Sequence, residues 1–260
     1  MADATWEKVI ENGWPLNLET YNSLSNYEKS FVQIEFAGEQ SPYFYETRIK
    51  KIDFVNKGKV VDVGCGMGQW STTLAKFNRE VIAFEVNVNR MDIAMELRDS
   101  LQLQNLDFQI AKAENLPLEN ESVDAIFCYG VLMFTELQQS LTEFSRVLKP
   151  HGVVYFNIDS SGFYLRLFFI SLLVKRDVLM AVTALRCLLK GVLRRNKDAA
   201  FSPRRVRKVL QKLDWEVLGV GAEGSLGDTE IQYDTSEKYP KSFFGFPVVT
   251  EALAKKKLKT

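Results

Sequence analysis

The stretch Val60-Val-Asp-Val-Gly-Cys-Gly-Met-Gly-Gln-Trp70 has three glycines at alternate positions, between a short apolar segment and a segment with helical spacing. Glycine adopts backbone conformations that other residues avoid, and it lets a ligand approach the main chain closely. A dinucleotide fingerprint would read G-x-G-x-x-G, and a P-loop would end in Gly-Lys-Ser/Thr. Here Gln69 follows the third glycine and the pattern is D-x-G-x-G-x-G. The stretch therefore argues against an NAD, FAD or P-loop nucleotide site.

The sequence around this loop alternates between strand-like and helix-like segments from about Gly58 to Asp159. Short apolar runs predict strands at Lys59–Val63, Glu80–Glu85, Leu106–Ile110, Ser122–Tyr129 and Gly152–Ile158. Apolar residues at helical spacing predict helices at Gln69–Phe77, Asn89–Leu103 and Glu136–Leu148. Such alternation is typical of a doubly wound α/β fold, in which helices cover both faces of a mostly parallel sheet. Ligands in these sheets bind beyond the C-terminal ends of the strands.

Several segments, in order, resemble the motifs of the class I S-adenosylmethionine (SAM)-dependent methyltransferases of type 11. The glycine loop resembles the first motif, and Ala111-Lys-Ala-Glu-Asn-Leu-Pro-Leu118 is similar to the segment beside the adenine. Ser122–Tyr129 resembles the fourth strand, and Phe144-Ser-Arg-Val-Leu-Lys-Pro-His-Gly152 resembles the turn before the fifth. The resemblance covers about Lys59 to Ile158. It implies SAM as the cofactor and a Rossmann-like sheet of seven mostly parallel strands.

The resemblance also implies which residues bind the cofactor. The glycine loop would contribute Asp62, Gly64, Cys65, Gly66 and Gly68. Glu85 ends the second strand, where the family places an acid on the ribose hydroxyls, and Ala113 and Glu114 would lie beside the adenine. Lys112 departs from the family, which often has an Asp here that accepts a hydrogen bond from the adenine; a Lys cannot accept one. The alternatives are a bare structural turn for the glycines, an exposed strand end for Glu85 and a solvated loop carboxylate for Glu114.

Residues 1–52 are predicted to form an N-terminal helical lid, and residues 53–260 the methyltransferase domain. In related methyltransferases a helix before the first strand covers the cofactor. Tyr45 or Arg48 would then meet the methionine carboxylate of the cofactor, because Arg pairs well with carboxylates. The alternative for the aromatic residues of this region is that they pack the lid against the sheet.

Polar residues at the C-terminal strand ends are the candidates for acceptor chemistry. Asp159 follows the fifth strand and is predicted to be the general base, since an alcohol acceptor benefits from a group that takes its proton. Tyr129 follows the fourth strand and is predicted to act in catalysis or to line the methionine side of the cofactor. Asn157 is a candidate orienting group, and each of these residues could equally be structural. His151 precedes the fifth strand, on the opposite edge of the sheet, and is not expected to take part.

Residues 160–213 are predicted to be a helical insertion. Two amphipathic helices are expected between about Phe163 and Leu193, because the uninterrupted apolar run is shorter than the ~20 residues that a bilayer span needs. Ser202-Pro203 predicts the start of a basic helix that ends near Leu213, and a strand follows over Trp215–Val220. Residues 160–210 have a net charge of +10, from two anions (Asp177 and Asp198) and twelve cations, namely Arg166, Lys175, Arg176, Arg186, Lys190, Arg194, Arg195, Lys197, Arg204, Arg205, Arg207 and Lys208.

This basic insertion belongs to a chain that is neutral as a whole, with 33 Lys and Arg against 33 Asp and Glu. Three interpretations stay open: peripheral contact with an anionic membrane, a site for a phosphorylated or lipid-linked acceptor, or a lid with a solvated face. Nucleic acid is not expected, since no RNA-module motif is present and aromatic residues are not interleaved with the arginines. One His and three separated cysteines leave no zinc pattern, so no metal is expected. The cysteines favour a reducing compartment, so the cytoplasm is expected. The basic insertion adds a peripheral location at the inner face of the membrane as an alternative.

These features predict a SAM-dependent methyltransferase that acts on a small molecule or a surface-glycan sugar, by O-methylation. The sugar acceptor depends on a loose resemblance of the C-terminal stretch 239–255 to methyltransferases of surface-glycan and natural-product assembly. One alternative is a lipid or quinone methyltransferase at a membrane surface. Another is a non-catalytic binding protein with the same fold.

Overall fold

The computed structural model describes residues 43–192, 201–231 and 240–258, together with residues 22, 24–26 and 28–29. Helix α1 (Tyr43–Lys51) is the continuous part of the predicted lid within these ranges. The rest of the lid prediction lies for the most part outside the described residues, as does the segment 193–200 of the insertion.

One large sheet organises the described chain. Its strands are β1 (Lys59–Val63), β2 (Glu80–Glu85), β3 (Leu106–Ile110), β4 (Val123–Cys128), β5 (Leu148–Asp159), β6 (Trp215–Ala222) and β9 (Val249–Lys256). They follow the order β3-β2-β1-β4-β5-β9-β6. Neighbours from β3 through β5 are parallel, whereas β9 is antiparallel to both β5 and β6. The doubly wound, mostly parallel sheet of seven strands is therefore confirmed. A separate hairpin pairs β7 (Ser242–Phe243) with β8 (Phe246–Pro247).

Helices cover both faces of this sheet. They are α2 (Gln69–Phe77), α3 (Val88–Ser100), α4 (Leu137–Val147), α5 (Ser161–Phe169), α6 (Val178–Val192) and α7 (Pro203–Lys212), with a 3₁₀ turn at Leu132–Phe134 and a π-helical turn at Ile170–Val174. Alternate side chains of each strand face opposite layers. One layer joins α1, α2 and α3 to residues such as Val60 and Phe127. The other joins α4 and α7 to residues such as Val61 and Ile126.

The ends of three helices follow from local sequence. Gly68 precedes α2 in the left-handed region, at φ +83°, which suits glycine. The side chain of Asn87 caps α3 by accepting a hydrogen bond from the Arg90 N–H at 3.3 Å. Ser202 caps α7 in the same way, with Pro203 at the first helical position, as the sequence predicts.

Strand β9, like the hairpin β7–β8, is not predicted from the sequence. Its segment Val-Thr-Glu-Ala-Leu-Ala-Lys-Lys has no clean alternation of apolar and polar residues. The reason is its place between β5 and β6, where both of its faces are covered and even Thr250 and Glu251 are buried. The fifth strand also begins earlier than predicted, at Leu148 instead of Gly152.

The predicted insertion divides into two parts. Helix α7 buries Val206 and Leu210 in the core layer beneath β6 and β9, so it belongs to the cover of the sheet. Helices α5 and α6 pack on each other, and α5 also contacts the hairpin. Among the described residues, no helix combines the length and the apolar character needed to cross a bilayer.

Candidate cofactor and acceptor site

The glycine loop between β1 and α2 is anchored to the end of β2. The N–H groups of Gly64 and Cys65 both donate to the carbonyl oxygen of Phe84, at 2.7 and 3.0 Å. All three glycines have positive φ angles: +74° at Gly64, +58° at Gly66 and +83° at Gly68. This backbone is the one that the alternating glycines permit, since other residues adopt it at a cost.

The three glycines differ in what surrounds them. A Cβ on Gly64 would collide with Val131, and one on Gly68 would lie 2.9 Å from the Cβ of Ala94 on α3. These two positions therefore serve close packing. A Cβ on Gly66 would meet no atom within 4 Å. Gly66 thus borders open space, as expected where a ligand approaches the main chain.

Glu85 lies directly beside Gly66. Its Oε2 accepts a hydrogen bond from the Gly66 N–H at 2.9 Å, and its Oε1 accepts from the N–H groups of Val86 and Asn87, at 2.9 and 3.0 Å. The side chain is buried and is not an exposed strand end. A carboxylate offers about four lone-pair positions, so Oε2 keeps capacity for a further donor such as a ribose hydroxyl.

Asp62 and Cys65 lie beneath the loop. The Ser71 hydroxyl donates to Oδ2 of Asp62 at 2.6 Å, which ties β1 to the first turn of α2. Burial, followed by the negative charge of Glu85, raises the pKa of Asp62 to about 7 despite the Ser71 hydrogen bond. Burial likewise raises the pKa of the Cys65 thiol. Both side chains therefore support the loop from below.

The segment predicted to flank the adenine lies next to the end of β2. The N–H of Ala111 donates to the carbonyl oxygen of Glu85 at 3.2 Å. Ala113 is buried, whereas the side chain of Lys112 is exposed. Oε1 of Glu114 accepts from the N–H of Glu136 at 3.0 Å, so this carboxylate joins the segment to the start of α4. Glu114 is therefore not a freely solvated carboxylate, and its contact with the adenine stays a prediction.

A second group of polar residues lies at the ends of β4, β5 and β6. The Tyr129 hydroxyl donates to Oε1 of Glu223 at 2.5 Å. Nδ2 of Asn157 donates to the same oxygen at 3.3 Å, and Oδ1 of Asn157 accepts from the Gly130 N–H at 2.6 Å. Asn157 therefore orients both Glu223 and the turn after β4. A Cβ on Gly130 would also meet no atom within 4 Å, so this turn too borders open space.

Glu223 is the site residue that the sequence analysis missed. It is buried, and it directly follows Ala222, the last residue of β6. Because β6 runs parallel to β5, its C-terminal end lies on the same edge of the sheet as Asp159. The available signal was an acid at the end of a predicted strand, but the predicted strand stops two residues before Ala222.

Asp159 is the last residue of β5 and is partly buried. Burial, followed by the negative charge of Glu223, raises its pKa to about 7. Tyr164 on α5 is close enough for the Asp159 charge to contribute, after burial, to a raised tyrosine pKa. His151 is exposed near the start of β5, inside the strand and not before it as the sequence predicts, at φ +64°. The structure therefore places Asp159 at the cofactor edge and His151 at the opposite edge.

Arg48 has buried polar partners on two strands of the sheet. Its guanidinium is fully buried in an ion pair with Glu251 of β9, and it donates to the Tyr155 hydroxyl at 2.7 Å. That hydroxyl donates in turn to Glu251 at 3.1 Å. Its charge joins α1 to the sheet, because a buried cation needs a buried partner. A contact between Arg48 and the methionine carboxylate stays a prediction.

Tyr45 is likewise buried, with its ring edge-on to Trp70 at a centroid distance of 4.6 Å. Trp70 also contacts Phe127 at 5.0 Å and Tyr129 at 4.8 Å. This aromatic contact supports the alternative that Tyr45 packs α1 against the sheet. A contact between Tyr45 and the methionine carboxylate stays a prediction.

The two open turns lie side by side, since β1 and β4 are neighbouring parallel strands and Val131 adjoins Gly64. This pair of strands is where the order of the sheet reverses, and doubly wound sheets bind ligands at that point. The open space at Gly66, with the Glu85 carboxylate beside it, fits a ligand that presents a hydroxyl donor. The residues present thus fit SAM.

Comparisons with known proteins agree with this geometry. Residues 61–156 match a family model described as a methyltransferase domain. The uncharacterized methyltransferase YcgJ of Bacillus subtilis is 28% identical over 143 residues, which are 55% of this chain and 52% of that protein. The ubiquinone/menaquinone biosynthesis C-methyltransferase UbiE of Campylobacter jejuni is 30% identical over 104 residues, covering 37% of this chain and 42% of that protein. The chain thus spans about half the length, or less, of these curated relatives.

A solved structure of a SAM-dependent methyltransferase from Aquifex aeolicus superposes with a TM-score of 0.56 and 16% identity, covering 90% of this chain and 99% of that one. At this identity the likeness concerns the fold. Residues 61–156 therefore carry a methyltransferase domain, built around a loop that is open at Gly66, and the fold of the described chain is that of SAM-dependent methyltransferases, whose cofactor is SAM.

Proposed function

We propose that this chain transfers a methyl group from SAM to an oxygen atom of an acceptor bound at the ends of β4, β5 and β6. The observation that carries the proposal is Asp159, a partly buried carboxylate at the cofactor edge whose pKa is raised to about 7. SAM supplies a methyl group on a sulfonium, which is already a good leaving group. The protein then has to align the reactants and manage the acceptor proton.

The residues divide into binding and acceptor groups. Gly66 leaves room for the cofactor, and Glu85 offers Oε2 to a hydroxyl while its other hydrogen bonds hold the loop in place. Tyr129 and Asn157 hold Glu223 at the end of β6. Asp159 would take the hydroxyl proton, because a base works best when its pKa is close to the working pH. Tyr129 therefore acts here as a positioning residue.

The electrostatics of this group favour a neutral, hydroxyl-bearing acceptor. Asp159 and Glu223 are close enough for their negative charges to interact. A phosphate or carboxylate next to them would meet like charges in a poorly hydrated site, which is costly. A small molecule or a sugar of a surface glycan satisfies this condition at the reacting hydroxyl.

A lipid or quinone acceptor at a membrane surface is the second candidate. One supporting observation is the exposed apolar surface of α6 and of the turn before it, described below. The other is the likeness to UbiE of Campylobacter jejuni, whose name places it in quinone biosynthesis. This candidate shares the cofactor site and differs in where the acceptor resides.

The proposal is tested first by calorimetry with SAM. We expect wild type to bind, and Glu85→Gln to bind about tenfold or more weakly, because an amide cannot accept at both ends. Glu80→Gln is the matched control, since it lies on the same strand at the opposite edge, paired with Lys59 at 2.8 Å. Absence of SAM binding by wild type would contradict the proposal.

The acceptor class is tested by transfer of a radiolabelled methyl group to fractionated cell extract. Label in the sugar or small-molecule pool supports the first candidate, and label in the lipid pool supports the second. SAM binding without label in any pool would favour the non-catalytic alternative. Asp159→Asn should lower labelling much more than it lowers SAM affinity.

A further inference from the structure

The turn that joins α5 to α6 exposes an unusual set of large apolar side chains. Leu173 and Val174 are 68% and 75% exposed, and Val178 and Leu179 at the start of α6 are 63% and 78% exposed. We call residues 172–180 the apolar tip. Monomeric water-soluble proteins rarely keep large contiguous apolar patches in water, and such a patch marks an interaction surface.

Helix α6 continues this pattern away from the tip. Within residues 178–189 of this helix, Ala181 and Ala184 are buried, and α6 packs mainly against α5. Val182, Leu185 and Leu189 are exposed. The small residues therefore lie inside and the bulky apolar ones outside, the reverse of a helix that covers a core. The contacts within the described chain leave this face for another partner.

The hairpin β7–β8 adds aromatic side chains next to the apolar tip. The Phe169 ring, at the last turn of α5, contacts the rings of Phe243 and Phe244 at centroid distances of 6.1 and 5.6 Å. The π-helical turn that leads into the tip begins at the next residue, Ile170. Phe244 is 71% exposed, so it extends the apolar surface beside the tip.

Exposed cations lie next to these apolar residues in the chain. Lys175 and Arg176 are exposed within the tip, and Lys241 is exposed where the hairpin begins. The neighbouring anion, Asp177, caps α6 by accepting from the Met180 N–H at 2.9 Å. Exposed apolar side chains within a cationic rim are typical of proteins that bind the surface of an anionic membrane.

We propose that the apolar tip and Phe244 insert into the surface of an anionic lipid bilayer, with Lys175, Arg176 and Lys241 against the headgroups. Vesicle binding is independent of the proposed methyl transfer. The consequence for the acceptor rests on that proposed function: α5 begins two residues after Asp159 and spans about 13 Å at 1.5 Å per residue. Docking through the tip would bring the acceptor end of the sheet near the bilayer.

The test is cosedimentation of the full chain with vesicles of phosphatidylcholine, with and without phosphatidylglycerol, in the absence of SAM. We expect binding to the anionic vesicles at low salt, weakened at high salt. The double variant Leu173→Asp/Leu179→Asp should bind at least about tenfold more weakly. Leu218→Asp/Leu258→Asp is the matched control, because it places the same charges at two exposed leucines outside the tip.

Insertion is tested separately with Leu173→Trp and Leu218→Trp. Brominated acyl chains should quench the added fluorescence of the first variant and not of the second. The proposal is overturned if wild type ignores anionic vesicles at low salt, if both double variants bind equally, or if the tip variants dissociate a dimer of the chain without changing vesicle binding. Methyl transfer to water-soluble fractions, measured without vesicles, reports on the proposed function alone.

Discussion

The hydroxyl of Tyr129, at the end of β4, donates to the buried carboxylate of Glu223, at the end of β6, across 2.5 Å. These residues are 94 positions apart in the chain, and strands β5 and β9 lie between their strands. The bond therefore spans the acceptor edge of the sheet. It couples the aromatic residue beside Trp70 to the carboxylate whose charge acts on Asp159.

Tyr129→Phe should lower turnover about tenfold while SAM affinity stays within about twofold, because the ring remains against Trp70 and the hydrogen bond to Glu223 is lost. Tyr155→Phe is the matched control, since its hydroxyl also donates to a buried glutamate, Glu251, in the Arg48 ion pair. Steady-state kinetics and chemical unfolding of both variants are the measurements. Equal losses of turnover at equal stability would refute the role of Tyr129 at the site.

Gly66→Ala should weaken SAM binding at least about tenfold without unfolding the protein, because the added Cβ occupies the open space at the loop. Gly245→Ala controls for backbone strain: it has a positive φ of +78° and equally open surroundings, on the β7–β8 hairpin. Calorimetry with SAM compares the two variants. The assignment of the loop fails if both bind SAM as wild type does.

Turnover should rise with pH through about 7, because Asp159 accepts a proton only when it is ionised and its pKa is about 7. Asp159→Asn should remove this limb of the profile. Glu223→Gln should move the midpoint to lower pH, since it removes a negative charge that raises the pKa of Asp159. A midpoint that is unchanged in Glu223→Gln would show that another group titrates.

Arg48→Met should destabilise the protein by about 3–5 kcal/mol, because it leaves the buried charge of Glu251 without its partner. The double variant Arg48→Met/Glu251→Gln should lose less than the sum of the single variants. Arg98→Met, at a pair between a partly exposed arginine and the exposed Asp99, should lose less than about 1 kcal/mol. Urea unfolding measures all of these. If Arg48→Met is as stable as wild type but has lost its affinity for SAM, Arg48 contacts the cofactor instead.

Asp62 should make the protein less stable as pH rises from about 4 to about 7. The unfolded chain releases the Asp62 proton near pH 4, whereas the folded chain holds it until about pH 7. Between these values the folded state binds more protons, so the free energy of unfolding falls by up to about 4 kcal/mol across the window.

Asp62→Asn should flatten this part of the stability profile and keep an acceptor for the Ser71 hydroxyl. Asp107→Asn, at an exposed position on β3, is the control and should leave the profile unchanged. Urea unfolding across the pH range measures both. Parallel profiles for wild type and Asp62→Asn would contradict the raised pKa of Asp62.

The local elements were predictable because each depends on a few neighbouring residues. The bounds of β1, β2, β3 and α2 agree with the sequence patterns, and Ser202 with Pro203 marks the start of α7 as expected. Strand β9 was not predictable in this way. Its pairing partners lie in β5 and β6, and burial on both faces removes the alternation from its sequence.

The candidate site likewise has one part that could be predicted from the sequence and one part that could not. Gly64, Gly66, Gly68 and Glu85 form one side, and a motif of local spacing sufficed to find them. The side with Asp159 was located by the rule that ligands bind at C-terminal strand ends, but Glu223 required the observed end of β6. Arg48 could not be assigned from sequence, because its partner Glu251 belongs to the strand that the sequence analysis did not identify.

The sequence alone determined the glycine loop, the α/β class of the fold and the edge of the sheet at which the loop lies, because these depend on the spacing of residues that are close together in the chain. Only the tertiary structure decided that Glu223 accepts a hydrogen bond from Tyr129 and that Arg48 forms an internal ion pair. It also decided that the large apolar side chains of α6 face outward. Each of these depends on which distant segments the fold brings into contact. Burial in the fold also raises the pKa of the Asp159 carboxylate to about 7.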